Sequence, residues 1–271
     1  MTSPSSRTAP ARTTGPDIGR HGLRQAVRME WIKLRSLRST WWALLLVVVA
    51  MLAVGVITMA NTKAPGPGRA AAFDPTNNVL AGVAFGQLVI GVIGVLLITG
   101  EYASGSIRST LAAIPRRPLL LPAKAAVLGV PTLVAGEAVS LGTFFAGRAA
   151  LHPAVPHPSF DQPGVLRAVL LSGVYLALVG LMGLGIGALT RHTASAIGGV
   201  VVLLFVLPAL LAGLTGVRIA KYFPTMIAGN SLAAAKVTDG MLSPWAGLGM
   251  LGLYVVLLLG AGGWLLTRRD A

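Results

Sequence analysis

Cysteine is absent from this 271-residue chain, acidic residues number only eight, and no Gly-Lys dipeptide occurs anywhere in it. Without cysteine there is no disulfide framework, no thiolate metal site and no cysteine nucleophile. A phosphate-binding P-loop ends in Gly-Lys-Ser or Gly-Lys-Thr, so that route to nucleotide binding is closed as well. Charge is scarce altogether: 11% of residues are charged against 54% hydrophobic, and the mean hydropathy is +0.76. That leaves too little polar surface to cover a water-soluble globule of this length. The chain belongs in lipid.

Six apolar runs are long enough to cross a hydrocarbon core of about 30 Å, which takes about 20 helical residues. They lie near Trp41 to Ala60, Asn78 to Gly100, Ala125 to Gly147, Leu166 to Thr190, Thr193 to Gly216 and Pro244 to Thr267. Lipid leaves every backbone N–H and C=O to be paired within the protein, so the runs are expected to be helices. Gly82 with Gly86, and Gly183 with Gly187, repeat at four-residue spacing and let neighbouring backbones approach closely. The expected fold is an all-α integral membrane protein. Residues 1–19 are expected to form a basic, disordered N-terminus, 20–40 an amphipathic interfacial helix and 41–271 a six-span domain.

Basic residues set the direction of insertion. With the N-terminus inside, 15 of the 22 lysines and arginines fall on the cytoplasmic side, as the positive-inside rule requires. Both termini are then cytoplasmic. A net charge of +14 could suggest nucleic acid, but these charges flank membrane spans and read instead as orientation signals and contacts to anionic lipid. In the interfacial helix Leu23, Val27, Trp31, Leu34 and Leu37 recur at helical spacing, with basic residues mostly on the other faces.

The second span passes without a linker into Glu101-Tyr102-Ala103-Ser104-Gly105-Ser106-Ile107-Arg108-Ser109-Thr110-Leu111. Ala103, Ile107, Leu111 and Ile114 make a narrow apolar stripe, Arg108 lies off it, Glu101 stands where a helix N-terminus favours an acid, and Pro115 stops the helix. Arg116, Arg117, Pro118 and Lys124 lead into the third span. A short helix tied at both ends to spans can convert a push from a soluble protein into a tilt of two helices. The plain alternative is a basic loop that anchors a hairpin.

Within the bilayer Glu137 is the one acidic residue well inside a span, where a charge costs roughly 2.5 to 3.5 kcal/mol. Gln87 and Tyr175 fall at a similar depth on the second and fourth spans, so the three could form a polar cluster that is either structural or in touch with cargo. His152 and His157 share a proline-rich outer loop and lack further ligands for a metal. Gly247-Leu248-Gly249-Met250-Leu251-Gly252 spells G-x-G-x-x-G, but it lies inside a span with no preceding strand and reads as helix packing. An intramembrane hydrolase would need a nucleophile and base at one depth; no histidine falls inside a span, and Ser140 and Ser172 read as helix-contact hydroxyls. A passive membrane anchor or scaffold keeps the topology but gives the segment after the second span no task.

Leu97 to Tyr102, Gly105 to Leu111 and the Pro115-Arg116-Arg117 turn together resemble the loop after the second span in ABC transporter permeases of the type-2 exporter family. Glu30 to Ser36, Arg191 to Ala196 with Pro208 beyond, and Lys221 to Pro224 with Ala228-Gly229 resemble further segments of that family in the same order. The resemblance runs from about residue 23 to the end. It implies a permease subunit of an exporter in the bacterial plasma membrane, pairing with a second permease subunit, a copy of itself (a homodimer) or a related chain, and with two copies of a separate ABC ATPase. That partner would bind ATP and Mg, no cofactor would sit in this chain, and transport would proceed by alternating access. Drugs, peptides, lipids and ions are all compatible as cargo. Carried onto this sequence, the ATPase-coupling residues are Glu101, Tyr102, Gly105, Ile107, Arg108 and Leu111, supported by Glu30, Lys33 and Arg35.

Overall fold

The computed structural model describes residues 22–36, 38–63, 74–114, 116–234 and 240–268. The N-terminal stretch 1–19 and the helix-stopping Pro115 lie outside them. Among the described residues the secondary structure is helical throughout, with no strand. Helix α1, Leu23–Ser36, precedes α2, Arg38–Ala60, which carries the first span. Helix α3, Pro75–Val79, opens with Asp74 accepting N–H bonds from Thr76 and Asn77, and a 3-10 turn, Leu80–Gly82, leads into α4, Val83–Ala103, the second span. Helix α5, Ile107–Ala113, is short; α6, Leu120–Ala150, and α7, Val165–Thr190, are the third and fourth spans. The fifth span joins α8, Thr193–Val201, through a π-helical turn, Val202–Val206, to α9, Leu207–Thr215. Short helices α10, Val217–Ala220, and α11, Pro224–Ser231, precede α12, Pro244–Arg268, the sixth span.

All six apolar runs are thus membrane-length helices, close to the bounds expected of them. Their arrangement centres on α7, which packs against α4, α6 and α12 and is the most enclosed span, 72% of its apolar window being buried. Small residues make this possible. A Cβ on Gly94 would overlap the carbonyl of Gly180, and one on Gly183 would overlap that of Gly91, so α4 and α7 meet backbone to backbone. The expected glycine pairs serve in the same way: Gly82 and Gly86 receive Met51 of α2, and Gly187 sits against Val95 and Ile98. Of the G-x-G-x-x-G run only Gly247 packs, against Ile227; Gly249 and Gly252 have open space where a side chain would stand.

Pro208 has no N–H to give to the carbonyl four residues earlier, that of Leu204. The Thr225 hydroxyl of α11 donates to this oxygen instead, so the freed acceptor is satisfied inside the apolar layer. The irregular Val202–Val206 turn immediately precedes it.

Gly183→Leu is expected to force α4 and α7 apart and lower stability by about 1–3 kcal/mol or more, read as an earlier loss of monodisperse protein on heating in detergent. Gly249→Ala, which meets open space, should not lower it. Equal tolerance of both substitutions would contradict the packing described.

Candidate functional site: a buried charge cluster at one end of the bundle

Helix α1, the α4–α5 turn and the start of α6 converge at one end of the bundle, here termed the basic end. A small apolar core joins them, built from Ala26, Ile107, Ile114, Leu120 and Ala123, with Val27, Tyr102 and Leu111 packed against it. Above this core lie two lysines and two glutamates. Lys124 is fully buried; its Nζ donates to Glu30 Oε2 at 2.8 Å, to Glu101 Oε1 at 2.7 Å and to the Leu97 carbonyl at 3.3 Å. Lys33 Nζ donates to Glu101 Oε1 at 3.0 Å, to Glu30 Oε1 at 3.4 Å and to the Thr110 hydroxyl at 2.7 Å. Two positive and two negative charges balance, and the cluster touches α1, α4, α5 and α6 at once.

Desolvating each ion costs several kcal/mol, which only close charge-assisted bonds and full coordination offset. Three acceptors provide this for the Lys124 ammonium, whereas Glu101 accepts only through Oε1, its Oε2 being buried without a partner. Glu101 explains the need for both lysines. It was expected near a helix N-terminus, but α4 continues through Ala103, so Glu101 stands in a helix's last turn, where the macrodipole disfavours an anion. Lys33 and Lys124 supply the compensation.

The remaining coupling candidates sort by position. After Ala103 the chain breaks at Gly105, whose φ of 71° favours glycine, and only then resumes as α5. The anticipated continuous stripe therefore begins at Ile107: Ile107 and Ile114 are buried, Leu111 is half-buried and Ala103 is exposed. Arg35 and Arg108 are exposed and form no ion pair with a described residue. The Tyr102 ring lies under the Arg191 guanidinium, 5.2 Å from its carbon to the ring centroid. In α1 the anticipated apolar face is split. Ala26, Glu30 and Leu34 are buried against the bundle, whereas Leu23 and Trp31 face outward at 46% and 36% exposure.

Sequence reasoning took Lys124 as a loop residue leading into the third span, and did not place Thr110 in the site. The helix in fact begins at Leu120, so Lys124 is inside it. Leu120, Lys124, Val127 and Leu128 share one buried face at helical spacing. A lysine in register with that face was the available signal, and its partner 94 residues away gave none.

In the apolar layer Tyr175 donates its hydroxyl to Gln87 Oε1, and Gln87 Nε2 donates to the Ala84 carbonyl at 3.2 Å. This pair joins the second and fourth spans. Glu137 does not join it: its carboxyl packs against Gly173 of α7, and Oε2 meets no partner. The third and fourth spans are linked instead by the Ser172 and Ser140 hydroxyls, 2.6 Å apart, so both serve as helix contacts. No group of three candidate metal ligands exists among the described residues. At the far end Asp74 Oδ2 accepts the Ala234 N–H at 2.6 Å and Arg167 donates to the Ala233 carbonyl at 2.7 Å, which ties the segment after α11 to the start of α3 and to the fourth span.

Six apolar helices around a glycine-packed centre, with a charged helical assembly at one end, define a multi-pass membrane protein. Residues 26–209 match the family model described as ABC-2 family transporter protein, and the chain belongs to that family as a membrane permease of an ABC transporter. A comparison with curated proteins finds no match.

Lys124→Met leaves Glu30 and Glu101 short of a cation in a buried site and is expected to destabilise the protein by about 3–5 kcal/mol. Combining it with Glu30→Leu should restore part of that loss, a coupling of about 0.5–3 kcal/mol in a double-mutant cycle of detergent unfolding midpoints. Strict additivity would contradict the cluster. Tyr175→Phe, by the same measurement, should cost about 0.6–1.7 kcal/mol, the range for hydrogen bonds between membrane helices.

Proposed function

We propose that this permease is half of an ATP-driven exporter, acting as a homodimer with two copies of a separate ABC ATPase that binds ATP and Mg. It sits in the bacterial plasma membrane with the basic end and both termini in the cytoplasm. The distribution of lysine and arginine favours this orientation. Export rather than import follows the resemblance of the loop after the second span.

The observation that carries the reading is the buried cluster, which binds α5 to α1 and to the ends of the second and third spans. A push on exposed α1 or α5 cannot be absorbed locally, because Thr110 ties α5 to Lys33 of α1, and α1 is held by the Lys33–Glu101 and Glu30–Lys124 bonds to the second and third spans. It passes to α4 and α6. Arg35 and Arg108, exposed on the two short helices, are the first groups an ATPase would meet. When ATP closes the ATPase dimer, the two basic ends are drawn together and the bundles reopen toward the other face, a rigid-body form of alternating access. The Gln87–Tyr175 pair holds the second and fourth spans in register during that motion. Glu137 of the third span, whose Oε2 is buried without a partner, is the polar group that would contact cargo once the bundle opens.

The test is co-purification with the ATPase encoded beside this chain. Arg108→Glu is expected to leave membrane insertion and monodispersity intact while weakening ATPase capture about tenfold, the size of effect that reversing a charge at an interface produces. Full capture with undiminished ATP hydrolysis would remove Arg108 from the interface, and the absence of any ATPase with the native chain would overturn the proposal.

A further inference from the structure

The charge cluster reaches the second and third spans but makes no bond to the fourth, fifth or sixth. A different residue bridges that gap. Arg191 forms the turn between α7 and α8, and its guanidinium extends to two further helices. On one side it lies over the Tyr102 ring at the end of α4; on the other its Nη2 donates to the Leu265 carbonyl, in the last turn of α12, at 3.3 Å.

Its backbone is as unusual as its contacts. Arg191 is the one non-glycine residue with positive φ among the described residues, at 58°, and its N–H caps α7 by bonding the Gly187 carbonyl at 2.9 Å. A glycine or asparagine would end the helix there without the cost of a Cβ in the left-handed region. An arginine is held in that conformation by what its side chain reaches: an aromatic face, which suits a planar cation, and a carbonyl in the last turn of a helix, where cations are favoured.

We propose that Arg191 is the positioning residue that passes movement of the α4–α5 corner to the fourth and sixth spans. The inference rests on the ATPase-driven reading above and extends it to the half of the bundle that the charge cluster does not touch. Tyr102 belongs to the corner that α1, α5 and α6 hold fixed. Displacement of its ring moves the guanidinium, and the guanidinium carries with it the C-terminus of α7 and the last turn of α12. Because α12 is 25 residues long, about 37 Å at 1.5 Å per residue, a tilt at this end reappears at its other end.

The chain has no cysteine, so single spin labels can be placed without background. The full permease–ATPase complex in lipid nanodiscs, with Ala112→Cys labelled on both permease copies, reports movement of α5; Trp245→Cys, 69% exposed at the far end of α12, reports whether that movement arrives. In the native background MgATP with vanadate is expected to shorten the Ala112 distance and to shift the Trp245 distance. Arg191→Gly and Arg191→Asn, which suit the turn's backbone, should keep the Ala112 change while the Trp245 shift falls about two-fold or more. Arg191→Lys, retaining a cation, should recover part of it. An undiminished Trp245 shift in the Gly and Asn variants would overturn the role of Arg191 and leave the ATPase reading standing. No Ala112 change in the native background would sink that reading and this inference with it. Failure of both the Gly and Asn variants to assemble would make Arg191 a folding residue and equally refute its positioning role.

Discussion

One ammonium group holds the basic end of this protein together. Lys124 is enclosed at the start of the third span, and Glu30 and Glu101 approach within 2.8 Å of its ammonium nitrogen. Those carboxylates come from the N-terminal helix and from the end of the second span, so the electrostatic demand of one lysine fixes three elements in one geometry. Lys33 completes the balance and adds α5 through Thr110. A hydrophobic contact could supply comparable stability, but it would not fix the register of four helices as closely. Removing one partner of such a buried pair leaves an uncompensated charge, so the four elements are held to one arrangement.

The middle of the bundle is built on a different principle. Lipid tails are as apolar as leucine, so no hydrophobic force draws the spans together; close backbone approach and a few hydrogen bonds do. Gly91, Gly94, Gly180 and Gly183 bring α4 and α7 into that approach, while the Tyr175–Gln87 and Ser172–Ser140 bonds fix their alignment with one another and with α6. A tightly packed centre next to a charge-locked end gives a structure that tilts in large pieces rather than deforming residue by residue.

The two principles differ in how visible they are in the sequence. The six spans were legible, because about 20 consecutive apolar residues admit one structure in lipid. Four-residue glycine spacing also carried its meaning, although Gly94 and Gly180, which lack such a repeat, were not anticipated in their pairing. The short helix after the second span was legible in position and in the burial of Ile107, but Gly105 divides the segment, and Glu101 belongs to the helix before the break rather than the one after. Lys124 was hidden. A lysine at the margin of an apolar run looks like an anchor in the headgroup region, and the groups that instead neutralise it are 94 and 23 residues away. In α1 the burial of Glu30 beside Ala26 and Leu34 was equally hidden, while Leu23 and Trp31 of the anticipated apolar face are exposed on the outside of the bundle.

The central claim is that this charge-locked block faces the cell interior, where an ATPase can grip it. In a chain without native cysteine, Ala112→Cys on α5 can be treated with a membrane-impermeant maleimide in intact cells and again after the membrane is opened. The account predicts labelling only after opening. Labelling of intact cells would place α5 outside, beyond the reach of any cytoplasmic ATPase, and would contradict it.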